Sequence, residues 1–241
     1  MNILLSNDDG YKSLGLIALQ NALKKFGKVT TIAPNRDISA SSSCLSVHDP
    51  IKVLMVSTHS YKVFGTPADC VHIGTRGILK KYPDIIFSGV NFGSNMGDDV
   101  IYSGTIGAAI EGRHAKFGSY AISITSKKPK YIEDINSKVE LIIEYIFSNL
   151  KKHKTIFNIN IPDLPLSKIK GIKHTKLGKR EIPLKSKKIK KNNIDYYNIG
   201  KVGKGISVKD NDFHAVEKGY ISITPIMIDM TDTKVYKKIK L

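Results

Sequence analysis

Strand patterns alternate with helix patterns over residues 2–161, and this alternation limits the fold of the chain more than any other feature. Short runs rich in Val, Ile and Leu are separated by segments whose apolar residues recur at helical spacing. This order favours an α/β fold, an open and mostly parallel sheet with helices on both faces. We predict strands over 2–6, 28–33, 84–89, 120–125 and 155–161, a hairpin over 47–56 and 61–64, and helices over 14–26, 105–115 and 135–146, with one more starting at Thr66.

From Pro162 onward the pattern changes to short strand-like pieces, such as 196–199 and 220–224. Pieces of this length favour hairpins, an arm or a dimerisation element rather than a second independent domain. We therefore predict a single domain over 1–241. Its α/β core over 1–161 carries the site, and 162–241 forms a hairpin and an oligomerisation arm.

The formal net charge of +17 is concentrated in residues 168–204, which contain 13 Lys or Arg and only two acidic residues, Glu181 and Asp195. Such a segment suggests a nucleic-acid-binding protein as an alternative function. Only four basic residues of the whole chain are arginine, however, and no aromatic residue lies between Lys168 and Asp195. The segment therefore has few residues that could make bidentate contacts to bases, and its basic stretch before Asp195 has no Phe, Tyr or Trp on which bases could stack. A solvated lysine-rich surface is the simpler interpretation.

Two cysteines, Cys44 and Cys70, are too few for a disulfide framework. The first residues form a strand pattern and lack the features of a secretory signal. No stretch approaches the roughly 20 apolar residues that span a bilayer. These features lead us to expect a cytoplasmic protein without a membrane partner.

Oxygen-bearing side chains follow the predicted strands at their carboxyl ends, where ligands bind in sheets of this kind. The first strand runs into Asp8 and Asp9, and the second leads toward Ser39. The strand over 84–89 is followed by Asn91, Asn95, Asp98 and Asp99. Carboxylate, hydroxyl and amide oxygens suit Mg²⁺, Mn²⁺ or Ca²⁺ better than zinc. A divalent cation would also neutralise the adjacent Asp8 and Asp9.

A phosphate cradle is suggested by YSGTIGAAIEG (102–112), where Ser103, Gly104 and Thr105 stand at the start of a predicted helix. Free backbone N–H groups at a helix start attract anions. The same three residues also fit an ordinary helix cap, which is the commoner role. Asp69 fits a helix start in the same way, so we interpret it as a capping acid and not as a catalyst. None of the seven histidines shows metal-ligand spacing, and we assign them no role.

Several longer stretches resemble the SurE family of survival-protein nucleotidases. They include ILLSNDDGY, APNRDISASSS, FGTPADCVHIG, SGVNFGSNMGDDVIYSGTIGAAIEGR and DFHAVEKGYISITP, and they cover nearly the whole chain. The resemblance implies a Rossmann-like sheet and a metal-dependent phosphatase that acts on nucleoside monophosphates at the 5′ or 3′ position. Some members of that family also shorten polyphosphate. It further implies a homodimer or homotetramer whose subunits exchange a carboxyl-terminal arm.

Site roles follow from the same resemblance. One divalent cation per subunit, Mg²⁺ or Mn²⁺ (or Ca²⁺ in a crystal), is expected on Asp8, Asp9, Ser39 and Asn91. Asn95, Ser103, Gly104 and Thr105 are expected to bind the phosphate, and Asp8, Asp9, Asn95 and Ser103 to act in catalysis. A nucleotide is the expected partner, and nucleic acid is not. Which aspartate relays the proton stays open, as does the preferred base.

Overall fold

The computed structural model describes residues 1–239, so Lys240 and Leu241 of the predicted arm lie outside the described residues. The strands are β1 (Asn2–Ser6), β2 (Lys28–Pro34), β3 (Val53–Ser57), β4 (Ser60–Val63), β5 (Ile85–Phe92), β6 (Ser119–Ile124), β7 (Ile156–Ile161), β8 (Ile172–His174), β9 (Lys179–Arg180), β10 (Lys187–Lys191), β11 (Ile194–Asn198), β12 (Gly205–Ile206) and β13 (Ile221–Ile226). The helices are α1 (Leu14–Leu23), α2 (Pro67–Ile73), α3 (Gly104–Glu111), α4 (Ile135–Tyr145), α5 (Asp212–Glu217) and α6 (Thr233–Ile239).

A nine-stranded sheet in the order β3-β4-β2-β1-β5-β6-β7-β13-β8 forms the centre of the molecule. The six strands from β4 to β7 in this order run parallel, which confirms the predicted α/β class. β1 lies between β2 and β5, so the chain winds outward from β1 in both directions. A crevice at the carboxyl ends of the strands is expected at such a reversal of strand order.

Helices cover both faces of this sheet. On one face the apolar sides of α1 and α4 pack together, with Leu16, Leu19, Val139 and Ile142 in one buried cluster. On the other face α2 and α3 contribute Val71 and Ala108 to a second cluster beneath β1 and β2. Burying a Leu or Ile side chain contributes about 1.5–3 kcal/mol, so these two layers fix the sheet and the loops at its edge.

The sheet continues beyond residue 161, where the sequence analysis ends the core. β13 pairs antiparallel with β7, and β8 pairs parallel with β13. Ile221 and Ile223 are fully buried, so this part of the chain belongs to the core. The region outside the sheet is therefore smaller than the predicted arm, and it includes the β9–β12 pair, the β10–β11 hairpin, α5 and residues 227–239.

Local signals account for most element boundaries. Thr66 and Asp69 form a reciprocal capping box at the start of α2, which confirms Asp69 as a capping acid. The hairpin is present as β3 and β4, but it begins at Val53 and not at residue 47. α1 ends at Leu23, three residues before the predicted end. No helix within residues 1–239 is long and apolar enough to cross a membrane.

Candidate active site

The predicted site residues meet where β1 and β5 end side by side. Asp8 and Asp9 follow β1 directly, and Asn91 lies near the end of β5. The register between β5 and β6 shifts between Gly89 and Asn91, so that Asn91 lies opposite Ser123. Irregularities of this kind change the direction of a side chain near the end of a strand. Here the shift lies beside the crevice that the strand order creates.

A cavity of about 390 Å³ opens at this edge of the sheet. Five of the predicted residues line it: Asp8, Ser39, Asn91, Asn95 and Ser103. Asp9, Gly104 and Thr105 are not among the residues that line it. The remaining walls include Asp99, which the sequence analysis offers as an oxygen donor, and Tyr102, Lys127 and Arg180, which it does not assign to the site.

Asp8 is almost completely buried, with 4% of its surface exposed. The Thr105 hydroxyl donates a hydrogen bond of 2.6 Å to its Oδ1. Burial raises the pKa of Asp8 above its ordinary value, and the hydrogen bond from the Thr105 hydroxyl offsets this in part. The carboxylate is therefore held at the start of α3, against the Ser-Gly-Thr turn.

Asp9 is half-buried, and its Oδ2 accepts a hydrogen bond of 3.2 Å from the Phe92 backbone N–H. Burial, followed by the charge of Asp8, raises the pKa of Asp9 to about 7. No Lys, Arg or His nitrogen in residues 1–239 lies within 4.0 Å of either carboxylate. The two adjacent acids are thus uncompensated within the described protein.

A divalent cation fits this pair. Two partly or wholly buried carboxylates without a positive partner are costly unless a cation joins them. No group of three or more His, Cys, Asp or Glu side chains suited to a metal occurs in residues 1–239. The remaining ligands would therefore be neutral oxygens, as the sequence predicts for Ser39 and Asn91. Such a donor set suits a hard cation.

The side chains of Ser39 and Asn91 each make one local hydrogen bond. The Asn91 amide nitrogen donates to the Gly93 carbonyl at 2.7 Å, which leaves the amide oxygen as the atom that could bind a cation. The Ser39 hydroxyl donates to Asp37 Oδ1 at 2.6 Å. To bind a cation, the Ser39 oxygen would have to direct a lone pair toward the cavity, whether or not its hydroxyl keeps the hydrogen bond to Asp37. Asp37 is a further acid near the pair and adds to the rise in both their pKa values.

Asn95 is held in place by two buried asparagines on β7. Asn160 Oδ1 accepts from the Asn95 backbone N–H at 2.9 Å, and Asn158 and Asn160 both donate to the Asn95 carbonyl. The Asn95 side chain donates to the Ser123 hydroxyl at 2.8 Å. The Asn95 backbone and side chain are thus both held, and the second N–H of the side-chain amide remains to donate to a phosphate oxygen.

Ser103 caps α3, because its hydroxyl accepts a hydrogen bond of 3.2 Å from the Ile106 N–H. The capping role that the sequence favours is therefore real, and Ser103 also lines the cavity. Thr105 uses its hydroxyl on Asp8 and is fully buried, so its side chain is not free to bind a phosphate. A β-carbon on Gly104 would lie 2.7 Å from Ser41 Oγ and 3.1 Å from Asp8 Cβ. Glycine is therefore required for this close approach.

Asp98 and Asp99, which the sequence analysis offers as further oxygen donors, are used differently. Asp99 forms an ion pair with the Arg180 guanidinium, and Asp98 accepts from the Arg180 backbone N–H at 3.1 Å. Arg180 also donates to the Gly203 carbonyl at 3.0 Å. These contacts attach the loop after β5 to the carboxyl-terminal part of the chain. Both acids are therefore structural in the described protein.

Four contributors were missed by the sequence analysis: Arg180, Lys127, Asn158 and Asn160. One usable signal existed for the asparagines, since Asn158 and Asn160 alternate with apolar residues in a strand that is buried throughout. Amides at alternate positions of a buried strand indicate a satisfied polar network. No local signal distinguishes Lys127 from the other 33 lysines.

The chain matches a known protein family over most of its length. The model of the family described as "Survival protein SurE" matches residues 3–183. A protein of Histophilus somni (strain 2336) named "5'-nucleotidase SurE" is 44% identical over 235 residues, which cover 96% of this chain and 94% of that protein. Another of Wigglesworthia glossinidia brevipalpis, named "5'/3'-nucleotidase SurE", is 43% identical over 242 residues, covering 97% and 94%.

A solved structure shares the fold. The crystal structure of the SurE protein from Aquifex aeolicus superposes with a TM-score of 0.86 at 39% identity. The match covers 100% of this chain and 98% of that one. The similarity therefore includes the carboxyl-terminal region as well as the α/β core.

Proposed function

The chain belongs to the SurE family, and from this we propose that it is a metal-dependent phosphatase that hydrolyses nucleoside monophosphates. The observation that supports this most directly is the pair Asp8 and Asp9, which no cation compensates in residues 1–239 and of which Asp8 is held against the turn that starts α3. A metal-dependent hydrolase that acts on a phosphomonoester can use such an anionic metal site beside an anion-binding turn. The cavity of about 390 Å³ has room for a phosphate at this position.

SurE nucleotidases depend on a metal, and we assign Asp8, Asp9, Ser39 and Asn91 as its ligands in this chain. Their hard oxygens suit Mg²⁺ or Mn²⁺. When bound, such a cation polarises the phosphoryl group and lowers the pKa of the attacking water. A helix terminus alone contributes only about 0.3–1 kcal/mol toward an anion. Phosphate-monoester hydrolysis calls for rate enhancements of up to ~10²¹-fold, so the turn at α3 cannot suffice by itself.

The side chains of this chain bind and orient the substrate. Asn95, the Ser103 hydroxyl and the N–H groups of Gly104 and Thr105 bind the phosphate oxygens. Water attacks phosphorus in line, its O–P bond forms as the P–O bond to the nucleoside breaks, and the nucleoside leaves as its alcohol. Asp8 or Asp9 accepts the proton of the attacking water and passes it to the leaving oxygen, which completes the alcohol. The clamp of Asn158 and Asn160 keeps Asn95 in its binding position.

We also propose that the chain works as a cytoplasmic homo-oligomer. Its two cysteines are free thiols, as expected in a reducing compartment. Large apolar side chains are exposed on the β10–β11 hairpin and on residues 227–239, among them Ile194, Met227 and Met230. Exposed apolar groups of this kind favour association with a second copy. A single domain over 1–241 is part of the same proposal, with the segments of 162–241 that lie outside the sheet as the oligomerisation arm.

Phosphate release tests the function. We expect the protein to release phosphate from 5′- or 3′-mononucleotides with Mg²⁺ or Mn²⁺ and to be inactive with EDTA; polyphosphate is included as a further substrate. Asp8→Asn should lower turnover by orders of magnitude while the far-UV circular dichroism stays unchanged. Asp49→Asn, an exposed acid outside the cavity, is the matched control. Near-normal turnover in Asp8→Asn would refute the assignment.

Nucleic-acid binding through residues 168–204 is not favoured. The lysines of β10 are exposed, and Lys188 already pairs with Asp195 at 2.7 Å. That alternative expects affinity for DNA or RNA that falls steeply with salt and survives EDTA. The nucleotidase proposal expects the opposite response to EDTA, so one chelation experiment separates the two.

A further inference from the structure

Two cations line the active-site cavity, and only one of them has a carboxylate partner. Arg180 is paired with Asp99 and also donates to the Gly203 carbonyl. Lys127 is exposed, and no carboxylate in residues 1–239 lies within 4.0 Å of its ammonium group. Its positive charge is therefore available to a ligand in the cavity.

Lys127 is placed beside the proposed metal and phosphate residues. It follows the end of β6, which neighbours β5 in the sheet. A β-carbon added to Gly93 would lie 3.6 Å from Asn91 Nδ2 and 3.6 Å from Lys127 Cγ. Asn91 Nδ2 and Lys127 Cγ are therefore no farther apart than twice 3.6 Å. Three further bonds separate Lys127 Cγ from the ammonium nitrogen. Because Gly93 has no side chain, nothing from that residue blocks the path between them.

The loop that carries Lys127 is anchored at both ends. Thr125 Oγ1 accepts from the Asp163 N–H at 3.2 Å, and the Lys130 N–H donates to Asp163 Oδ2 at 2.9 Å. Lys138, which is fully buried, donates to the Tyr131 carbonyl at 3.1 Å. The backbone at Lys127 is therefore held in position, and only its side chain has to settle on a ligand.

We propose that Lys127 binds the phosphate of the substrate and selects phosphate groups that carry two negative charges. This inference rests on the proposed function. Bound metal would neutralise Asp8 and Asp9, so Lys127 would be the one unpaired positive side chain lining the cavity in the described protein. A phosphomonoester is close to a dianion at neutral pH, because its second pKa is about 6, whereas a phosphodiester carries one charge. A lysine ammonium is a compact point charge that suits a single phosphate oxygen.

The test measures binding of inorganic phosphate as well as turnover. Wild type, Lys127→Met, Lys127→Arg and the neighbouring control Lys128→Met are titrated with phosphate by calorimetry, with MgCl₂ and again with EDTA. KM and kcat are then measured with a mononucleotide. We expect Lys127→Met to raise KM and the phosphate dissociation constant roughly 10-fold, as for the loss of a hydrogen bond to a charged group.

Three further results belong to the expectation. The kcat of Lys127→Met should change little, Lys127→Arg should restore phosphate affinity, and Lys128→Met should match wild type. The difference between Lys127→Met and wild type should shrink as ionic strength rises from about 0.05 M to about 0.5 M, because screening shortens the reach of the charge.

Equal phosphate affinity in Lys127→Met and Lys128→Met would overturn the proposal. So would a loss in Lys127→Met that Lys127→Arg does not restore, because that pattern indicates a structural role. Wild-type protein that binds phosphate but hydrolyses no nucleotide would instead contradict the proposed function, and the role of Lys127 would still be decided by the phosphate titrations. Wild-type protein that binds neither phosphate nor nucleotide overturns both.

Discussion

Thr105 Oγ1 donates a hydrogen bond of 2.6 Å to Asp8 Oδ1 and so connects two segments that lie 97 residues apart in the chain. One partner follows β1, and the other begins the first turn of α3. The contact fixes the direction of the proposed metal ligand, and it is fully buried on the Thr105 side. Side chains that orient metal ligands typically change metal affinity or activity by about 10–100-fold when they are removed.

Thr105→Val should therefore weaken metal binding by about 10-fold or more, since Asp8 loses a donor and Val supplies none. Thr105→Ser keeps the hydroxyl and should retain most of the affinity. Calorimetric titration of each variant with Mn²⁺ measures the effect directly. If Thr105→Val bound Mn²⁺ as tightly as wild type, Asp8 would not depend on this contact.

The stability of the metal-free protein should depend on Asp9 and on pH. Its pKa rises from 3.8 to about 7 on folding, so between these values the folded state binds more protons than the unfolded state. The free energy of unfolding contributed by Asp9 is then fully present below the unfolded value, and is lost as the pH rises through about 7. In EDTA, the melting temperature should thus be lower at pH ~8 than at pH ~6 by an amount that Asp9→Asn abolishes.

Saturating Mg²⁺ should reverse this dependence, because the cation favours the charged carboxylate. Differential scanning calorimetry of wild type and Asp9→Asn, each with EDTA and with Mg²⁺, provides the four curves needed. An identical pH dependence in wild type and Asp9→Asn without metal would show that Asp9 is not the group responsible.

The parts of the site that the sequence reveals are those encoded within a few residues. Asp8 and Asp9 stand out because two like charges follow a buried strand, and Ser103 because a hydroxyl precedes a helix. That the Asp8–Asp9 pair and Ser103 lie at the same edge of the sheet follows from the α/β order alone. The close contact between Asp8 and Thr105 does not, since the same pattern would allow either residue to face solvent.

What the sequence could not provide are contacts between distant segments. Asn95 depends on Asn158 and Asn160, more than 60 residues away, and the pairing of β7 with β6 decides that they meet. The sequence analysis assigns β13 to an arm because the pieces that it identifies after Pro162 are short and strand-like. Its buried Ile221 and Ile223 nevertheless add it to the sheet, since an open edge of β7 is available there. Tertiary burial outweighs local pattern in both cases.

Gly104→Ala should abolish most activity while the protein stays folded. The added β-carbon would lie 2.7 Å from Ser41 Oγ and 3.2 Å from Asp8 Oδ2, so the proposed ligand or the serine loop must move. Alanine favours a helix by about 1 kcal/mol over glycine, which opposes any loss of stability from the helix itself. Gly77→Ala is the matched control, because its β-carbon would meet nothing closer than 3.9 Å. Phosphate release and the melting temperature are measured for both, and full activity in Gly104→Ala would contradict the tight geometry.

Asp212 should prove important for stability although it lies outside the cavity. Its carboxylate accepts hydrogen bonds from the backbone N–H groups of Gly97 at 2.7 Å, of Gly178 at 2.9 Å and of Phe213 at 2.9 Å. It therefore ties the loop after Asn95 to α5 and to the turn after Lys176. Burial raises the pKa of Asp212, and these three donors offset the rise in part.

Asp212→Asn replaces one acceptor oxygen with an N–H donor that faces a backbone N–H. A buried donor left without an acceptor costs about 1–3 kcal/mol, so we expect the free energy of unfolding to fall by about that amount. Asp210→Asn makes the same chemical change at an exposed position two residues away and should leave stability unchanged. Urea denaturation at neutral pH compares the two variants with wild type. A loss of equal size in both variants would show that removal of negative charge, and not the hydrogen bonds to Gly97 and Gly178, lowers the stability.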